Sequence, residues 1–392
     1  MTKQSNSQFL ISLCLMALIL SSCKYQPSKQ DLDPIQLGGL FSLTGAKSDM
    51  GIPSSKGAQL AVDLINEKGG IRGRNLELIV KDGKSNPQVG KEMVSKILQD
   101  APKTAAFMGF CDSDLAEAAA LVAKQNSRLF LTSGATSPLL PAQVTGSLFL
   151  ACFGDNVQAA AAAEWAFNEL NARSAAVIFD STSTYTKLLQ QYFKQSFESL
   201  GGQVISVQTY HPTDMTEIGQ NLAETDFVFF SAGSAYDALK GIQILRRAGI
   251  DVPVIGGDSY DSETVWEAHP EIEDIFYTTH SFLGIENSAR QVQNFRAAYQ
   301  NTYGGNEPDA FAALNFDAIN LLAEAIENTE NIDDPKSIQS ALAKLSDFKG
   351  VTGTISFKNG QQIPQKSVTI IEVTDGHRTL NTQLLPKRIP KP

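Results

Sequence analysis

The chain has 392 residues, more than one hydrophobic core comfortably holds, so two domains are the starting expectation. Its 42 acidic residues against 32 basic ones give a net charge of −10, which repels phosphate backbones and argues against a nucleic-acid partner. Four cysteines and four scattered histidines, without an HExxH pair or a Cys/His spacing, exclude a disulfide-built scaffold and give no case for a metal centre.

Residues 9–20 are apolar except for Ser12 and follow a short polar stretch carrying Lys3. That length suits a signal-peptide core and is too short to span a bilayer comfortably. The ending Leu20-Ser21-Ser22-Cys23 resembles the lipobox of bacterial lipoproteins, in which Cys23 is acylated and becomes the new N-terminus. An ordinary secretory signal with its cleavage site at Cys23 is the alternative. Either way 1–22 is read as a signal peptide, 23–34 as a polar tether, and the body folds outside the cytoplasm. No ATP or NAD pool exists there, which disfavours most cofactor enzymes.

From Ile35 short apolar runs alternate with helix-period segments, the signature of βα units around a parallel sheet. Strands are expected at 35–41, 76–80, 105–109, 129–132 and 148–153, with helices at 54–68, 88–98 and 114–125 between them. The pattern then restarts: helix 157–170, strand 175–179, helix 185–200, strand 204–207, a weaker helix, strand 227–230, helix 234–248 and strand 254–256. Two successive series imply two doubly wound lobes and not one closed barrel. After a strand at 275–279 come helices at 290–303, 310–328 and 335–346, then a hairpin candidate pairing 354–357 with 367–373 around Asn359-Gly360. These leftover elements must pack on one lobe or the other, so the chain crosses between lobes several times.

Parallel sheets bind ligands beyond the carboxyl ends of their strands. There the sequence places Asp112-Ser113-Asp114 and the run Ser133-Gly134-Ala135-Thr136-Ser137-Pro138. Hydroxyls and free N–H groups beside helix starts suit a carboxylate, but Ser113 and Ser137 also read as plain helix caps, with Pro138 opening a helix. At exits of the second series stand Tyr185 and Asp258, the latter able to pair with an ammonium or to serve only as a turn aspartate before a helix capped by Asp261. No dinucleotide fingerprint, P-loop or nucleophile elbow occurs, and no base is placed beside these groups, so binding without chemistry is the expectation.

In this order, 39–45 (GLFSLTG), 57–73 (GAQLAVDLINEKGGIRG), 132–138 (TSGATSP) and 245–249 (LRRAG) resemble the leucine/isoleucine/valine-binding family of type I periplasmic binding proteins, the substrate-binding lipoproteins of ABC importers. The resemblance implies two doubly wound parallel-sheet lobes joined by a three-crossover hinge that closes on the ligand. It places the crossovers near Phe153, His280 and Val351, giving one lobe of 35–153 plus 281–351 and another of 154–280 plus 352–392. It also implies an α-carboxylate held by Ser113 and Thr136 with the backbone of Gly134 and Ala135, an aromatic at Tyr185 and an acid for the α-ammonium at Asp258.

The expected activity is capture of an amino acid of branched-chain type by a monomer that hands it to an ABC permease, with no cofactor. Ligand sensing for a receptor, or binding of an amide or aromatic acid, are the alternatives. Two departures stand out. The loop after strand 227–230 reads Ser231-Ala-Gly-Ser-Ala235 where amino-acid binders often carry an aromatic, and Tyr236 lies inside the following helix. No cysteine in 82–90 can partner Cys111. In the family's strand order Cys111 and Cys152 end strands two spacings apart, about 9–10 Å, beyond disulfide reach, so both are expected to be free thiols.

Overall fold

The computed structural model describes residues 32–392 except 221, 223, 358–360 and 365. The signal segment, Cys23 and the Asn359-Gly360 turn therefore lie outside the described residues.

Five strands form the first sheet, in the order β2-β1-β3-β4-β5 and parallel throughout: β1 Ile35–Phe41, β2 Leu76–Asp82, β3 Ala106–Gly109, β4 Phe130–Thr132 and β5 Leu148–Leu150. Strands β3, β4 and β5 are buried at every residue and almost wholly apolar because helices cover both faces. On one face the helix Ser48–Glu67 packs against Ala310–Asn328 so closely that a Cβ on Gly57 would lie 1.9 Å from the Ala312 carbonyl oxygen. That first helix begins at Ser48 and not at the expected 54, with Pro53 inside it.

The second sheet runs β14-β13-β10-β9-β8-β6-β7. Its parallel part comprises β6 Ser174–Asp180, β7 Gln203–Tyr210, β8 Phe227–Ser231, β9 Val254–Gly256 and β10 Ile275–Thr279. On one face Phe193 stacks on Phe229 with centroids 3.8 Å apart, and Phe197 meets Phe227 edge-on.

The chain crosses between the lobes three times, after β5, after β10 and before β13. The tail differs from the expected hairpin. β12 Gly353–Ile355 pairs with β11 Phe348–Gly350, whereas β13 Val368–Thr374 adds antiparallel to β10 and turns back into β14 His377–Leu384. The turn is Asp375-Gly376, both at positive φ (52° and 76°), the handedness a two-residue hairpin needs. Ile355 and Phe357 pack in the first lobe's core, and Ile363 also packs on that lobe.

Cys111 and Cys152 are free thiols. β4 lies between the strands that precede them, as the expected order requires.

Candidate ligand-binding cleft

Strand ends of both sheets converge on one cleft, the place where open parallel sheets bind their ligands. Lys47 and Met50 follow β1, Cys111 and Asp112 follow β3, and Gly134 and Thr136 follow β4. From the second lobe come Tyr185 after β6, Gly233 after β8, and Asp258 and Ser259 after β9, while Phe311 enters from the helix Ala310–Asn328.

On the first-lobe side the helix Ser113–Gln125 is capped by Asp112, whose Oδ1 accepts from the N–H groups of Asp114 (3.1 Å) and Leu115 (3.3 Å). Ser113 is therefore the first helical residue and not the cap. Its Oγ accepts from the Ser137 N–H at 3.3 Å, and Ser113 itself stands beside the cleft-lining Asp112 without lining the cleft. Ser137 caps no helix either, since the next one is the short Leu140–Gln143 with Leu139 before it. Thr136 is buried and lines the cleft. Ala135 does not line it: its N–H donates to Thr132 Oγ1 (3.2 Å) and its carbonyl accepts from the Cys152 thiol (3.4 Å). Gly134 does, and a Cβ there would crowd Cys111 Sγ at 3.0 Å.

The second-lobe side is organised around Asp258, 3 % exposed in a single 3₁₀ turn. Its Oδ1 accepts from Tyr185 Oη at 2.9 Å and from Gln158 Nε2 at 2.8 Å, and its Oδ2 accepts from His280 Nε2 at 3.1 Å. Burial holds His280 below its ordinary pKa despite the hydrogen bond and charge of Asp258, so a neutral imidazole donates here. Gln158 fixes the geometry: its Oε1 accepts from the Asp258 N–H (3.2 Å) and Thr278 Oγ1 (2.7 Å), and its Nε2 also donates to Asp155 Oδ1 (3.1 Å). A carboxylate offers about four acceptor positions, so Asp258 keeps capacity for a further donor. The expected cap role of Asp261 does not hold. Ser262 precedes the helix Glu263–Glu267, and Asp261 instead accepts from Arg378 and Thr279.

Sequence reading missed Asp155, the fully buried first residue of the helix Asp155–Asn168. Burial pushes its carboxyl up to about 8, with Thr136 and Gln158 opposing and Asp258 adding to the rise, and its Oδ2 has no hydrogen-bond partner among the described residues. It also missed Lys47, Met50, Ser259 and Phe311, none of which stands in a recognisable motif, whereas Asp112 and Gly233 were named only as parts of strand-exit loops. Tyr236 is 58 % exposed and does not line the cleft. Among the described residues no group of three or more His, Cys, Asp or Glu could hold a metal ion, and no helix is long and apolar enough to cross a membrane.

Residues 34–378 match the periplasmic binding protein family. A Leu/Ile/Val-binding protein homologue of Brucella melitensis is 26% identical over 349 residues, covering 87% of this chain and 92% of its own. Among solved structures, the branched-chain amino acid transporter substrate-binding protein LivJ of Streptococcus pneumoniae, in complex with isoleucine, is 28% identical. It superposes with a TM-score of 0.81 over 90% of this chain and 99% of its own. The leucine-binding protein LivK of Thermotoga maritima gives the same TM-score, 0.81, at 27% identity, with coverage of 90% and 99%. The chain belongs to the periplasmic binding protein family, extracytoplasmic solute-binding proteins of ABC transporters that bind their cargo without transforming it.

Proposed function

We propose that this protein captures an amino acid of branched-chain type between its lobes and delivers it, as a monomer, to the permease of an ABC importer. The observation that carries this reading is Asp258: a buried carboxylate with spare acceptor capacity, across the cleft from Thr136 and Gly134. An α-ammonium leaving water needs an opposite charge, and an α-carboxylate is met by hydroxyls and N–H groups at a helix start. Ser113 and Thr136 with the Gly134 backbone are the carboxylate side of this reading, Tyr185 and Asp258 the ammonium side. The Ala135 N–H contributes only if it gives up Thr132. The names and bound ligand of the relatives support the branched-chain class.

We place the third crossover between Ile363 and Val368 and not near Val351, because Ile355, Phe357 and Ile363 pack with the first lobe. Acylation of Cys23 would hold the protein at the membrane, and detergent partitioning of Cys23→Ala checks that anchor. The binding reading is tested by thermal shift with leucine, isoleucine, valine and their deaminated analogues. A ligand at about a hundred times its Kd stabilises by ~2.7 kcal/mol. The amino acids are expected to shift the melt and the deaminated acids not. A tight ligand lacking an amine, such as an aromatic acid, would end the amino-acid reading and leave the solute-binding one.

A further inference from the structure

We propose that Lys47 sets the size limit of the ligand's side chain, its ammonium bridging the two lobes at one edge of the cleft. The proposal rests on the amino-acid reading above and narrows it. Lys47 directly precedes the helix Ser48–Glu67, and its N–H donates to Ser85 Oγ at 3.0 Å, which fixes where the side chain starts. The side chain is 20 % exposed. Nζ donates to the Gly233 carbonyl of the other lobe at 2.7 Å and stands 3.4 Å from Asp112 Oδ2 of its own lobe. Asp112 is itself held in place because its other oxygen caps the next helix. The bridge is thus anchored at its base and, on both lobes, at its tip.

Gly233 supplies the second observation. Its backbone is not in the left-handed region, so nothing in its conformation requires glycine. The obstacle to a side chain is spatial, since a Cβ would lie 3.2 Å from Lys47 Nζ. A side chain on the second lobe and the lysine from the first are competing ways to fill the same space. Met50, Cys111 and Phe311 supply apolar wall, and Lys47 with Asp112 forms the polar end. A short branched side chain is expected to end before the ion pair, and an aromatic one to push the ammonium away from both Gly233 and Asp112. Asp49 and Asp237 add to that cost, because Lys47 offsets the burial that raises both carboxyls.

Titration calorimetry with L-leucine and L-phenylalanine tests this on the full chain and on Lys47→Ala. The wild type is expected to prefer leucine, and Lys47→Ala to shrink that preference at least ~10-fold by gaining phenylalanine affinity, a few methylenes' worth of pocket space. Gly233→Val, which adds bulk where Lys47 removal takes it away, should weaken leucine without admitting phenylalanine. An unchanged leucine-to-phenylalanine ratio in Lys47→Ala, with leucine still bound, overturns the proposal and leaves the amino-acid reading standing. If the wild type binds neither, that reading fails instead, and small-angle scattering of the ligand-free proteins decides the bridge. A larger radius of gyration for Lys47→Ala supports it, and identical radii overturn it.

Discussion

Gln158 joins two carboxyl groups through one amide nitrogen, and the two differ in how fully they are hydrogen-bonded. Asp258 accepts from Tyr185, Gln158 and His280, whereas Asp155 leaves one oxygen unpartnered and is pushed up to about 8. An unfolded aspartate releases its proton near 3.8, so between 3.8 and about 8 the folded state binds more protons than the unfolded one. Stability from this group therefore falls as pH rises through that window. Asp155→Asn removes the dependence, and its melting temperature is expected to gain on the wild type steadily from pH 4 to 8; parallel melting curves would refute the burial effect. For Asp258→Asn the expectation concerns binding. Truncating one partner of a buried charge pair costs ~2–5 kcal/mol, so leucine affinity should drop well over tenfold by calorimetry with the melt of the free protein little changed. Asp258 and Tyr185 were legible because each stands just past a strand exit. Asp155 was not, since the Asp258 carboxylate that adds to its shift is remote in sequence and nothing in an alanine-rich helix start marks a carboxyl as buried.

Elements were legible wherever apolar period and turn chemistry agreed. β9, β10 and the helix Ala310–Asn328 fall where the periodicity puts them. The tail failed because two turn signals competed. Asn359-Gly360 and Asp375-Gly376 are both two-residue hairpin signals, and only pairing across the sheet distinguishes them: β13 must reach β10, so its return strand is β14. Gly376 then carries the cost of the turn. A side chain there is strained at φ 76°, and its Cβ would meet the Trp266 carbonyl oxygen at 2.9 Å. Gly376→Val should destabilise by at least roughly 1–2 kcal/mol, the penalty of left-handed backbone for an L-residue. Urea denaturation measures it, and an unchanged midpoint would mean that β13 and β14 are not joined by this turn.

At the scale of the whole molecule the three crossovers meet in a small polar knot that no sequence pattern announces. Phe153 of the first stacks on His280 of the second with centroids 3.8 Å apart. Ser281 of the second donates to the Val351 carbonyl. Lys366, on the third, donates to Thr352 Oγ1 at 2.6 Å and to the Ala151 carbonyl at 3.3 Å. Asp317 accepts from the N–H groups of Val351 and Thr352, both at 2.8 Å, and from the Thr352 hydroxyl at 2.7 Å. Burial pushes Lys366 down to about 8 against the opposing charge of Asp317, whose own carboxyl burial raises. Removing the cation leaves a buried acid without its counter-charge, so Lys366→Met should cost ~3–5 kcal/mol near neutral pH. The pH course separates this charge effect from lost packing. Between about 8 and the ordinary lysine value of 10.5 the folded protein binds fewer protons at Lys366 than the unfolded chain does. The wild type should therefore gain stability over Lys366→Met as pH rises through that window. Denaturant melts of both proteins at pH 7, 8.5 and 10 check it. A gap that stays constant with pH would mean that Lys366 fills space at the hinge and that its charge plays no part there.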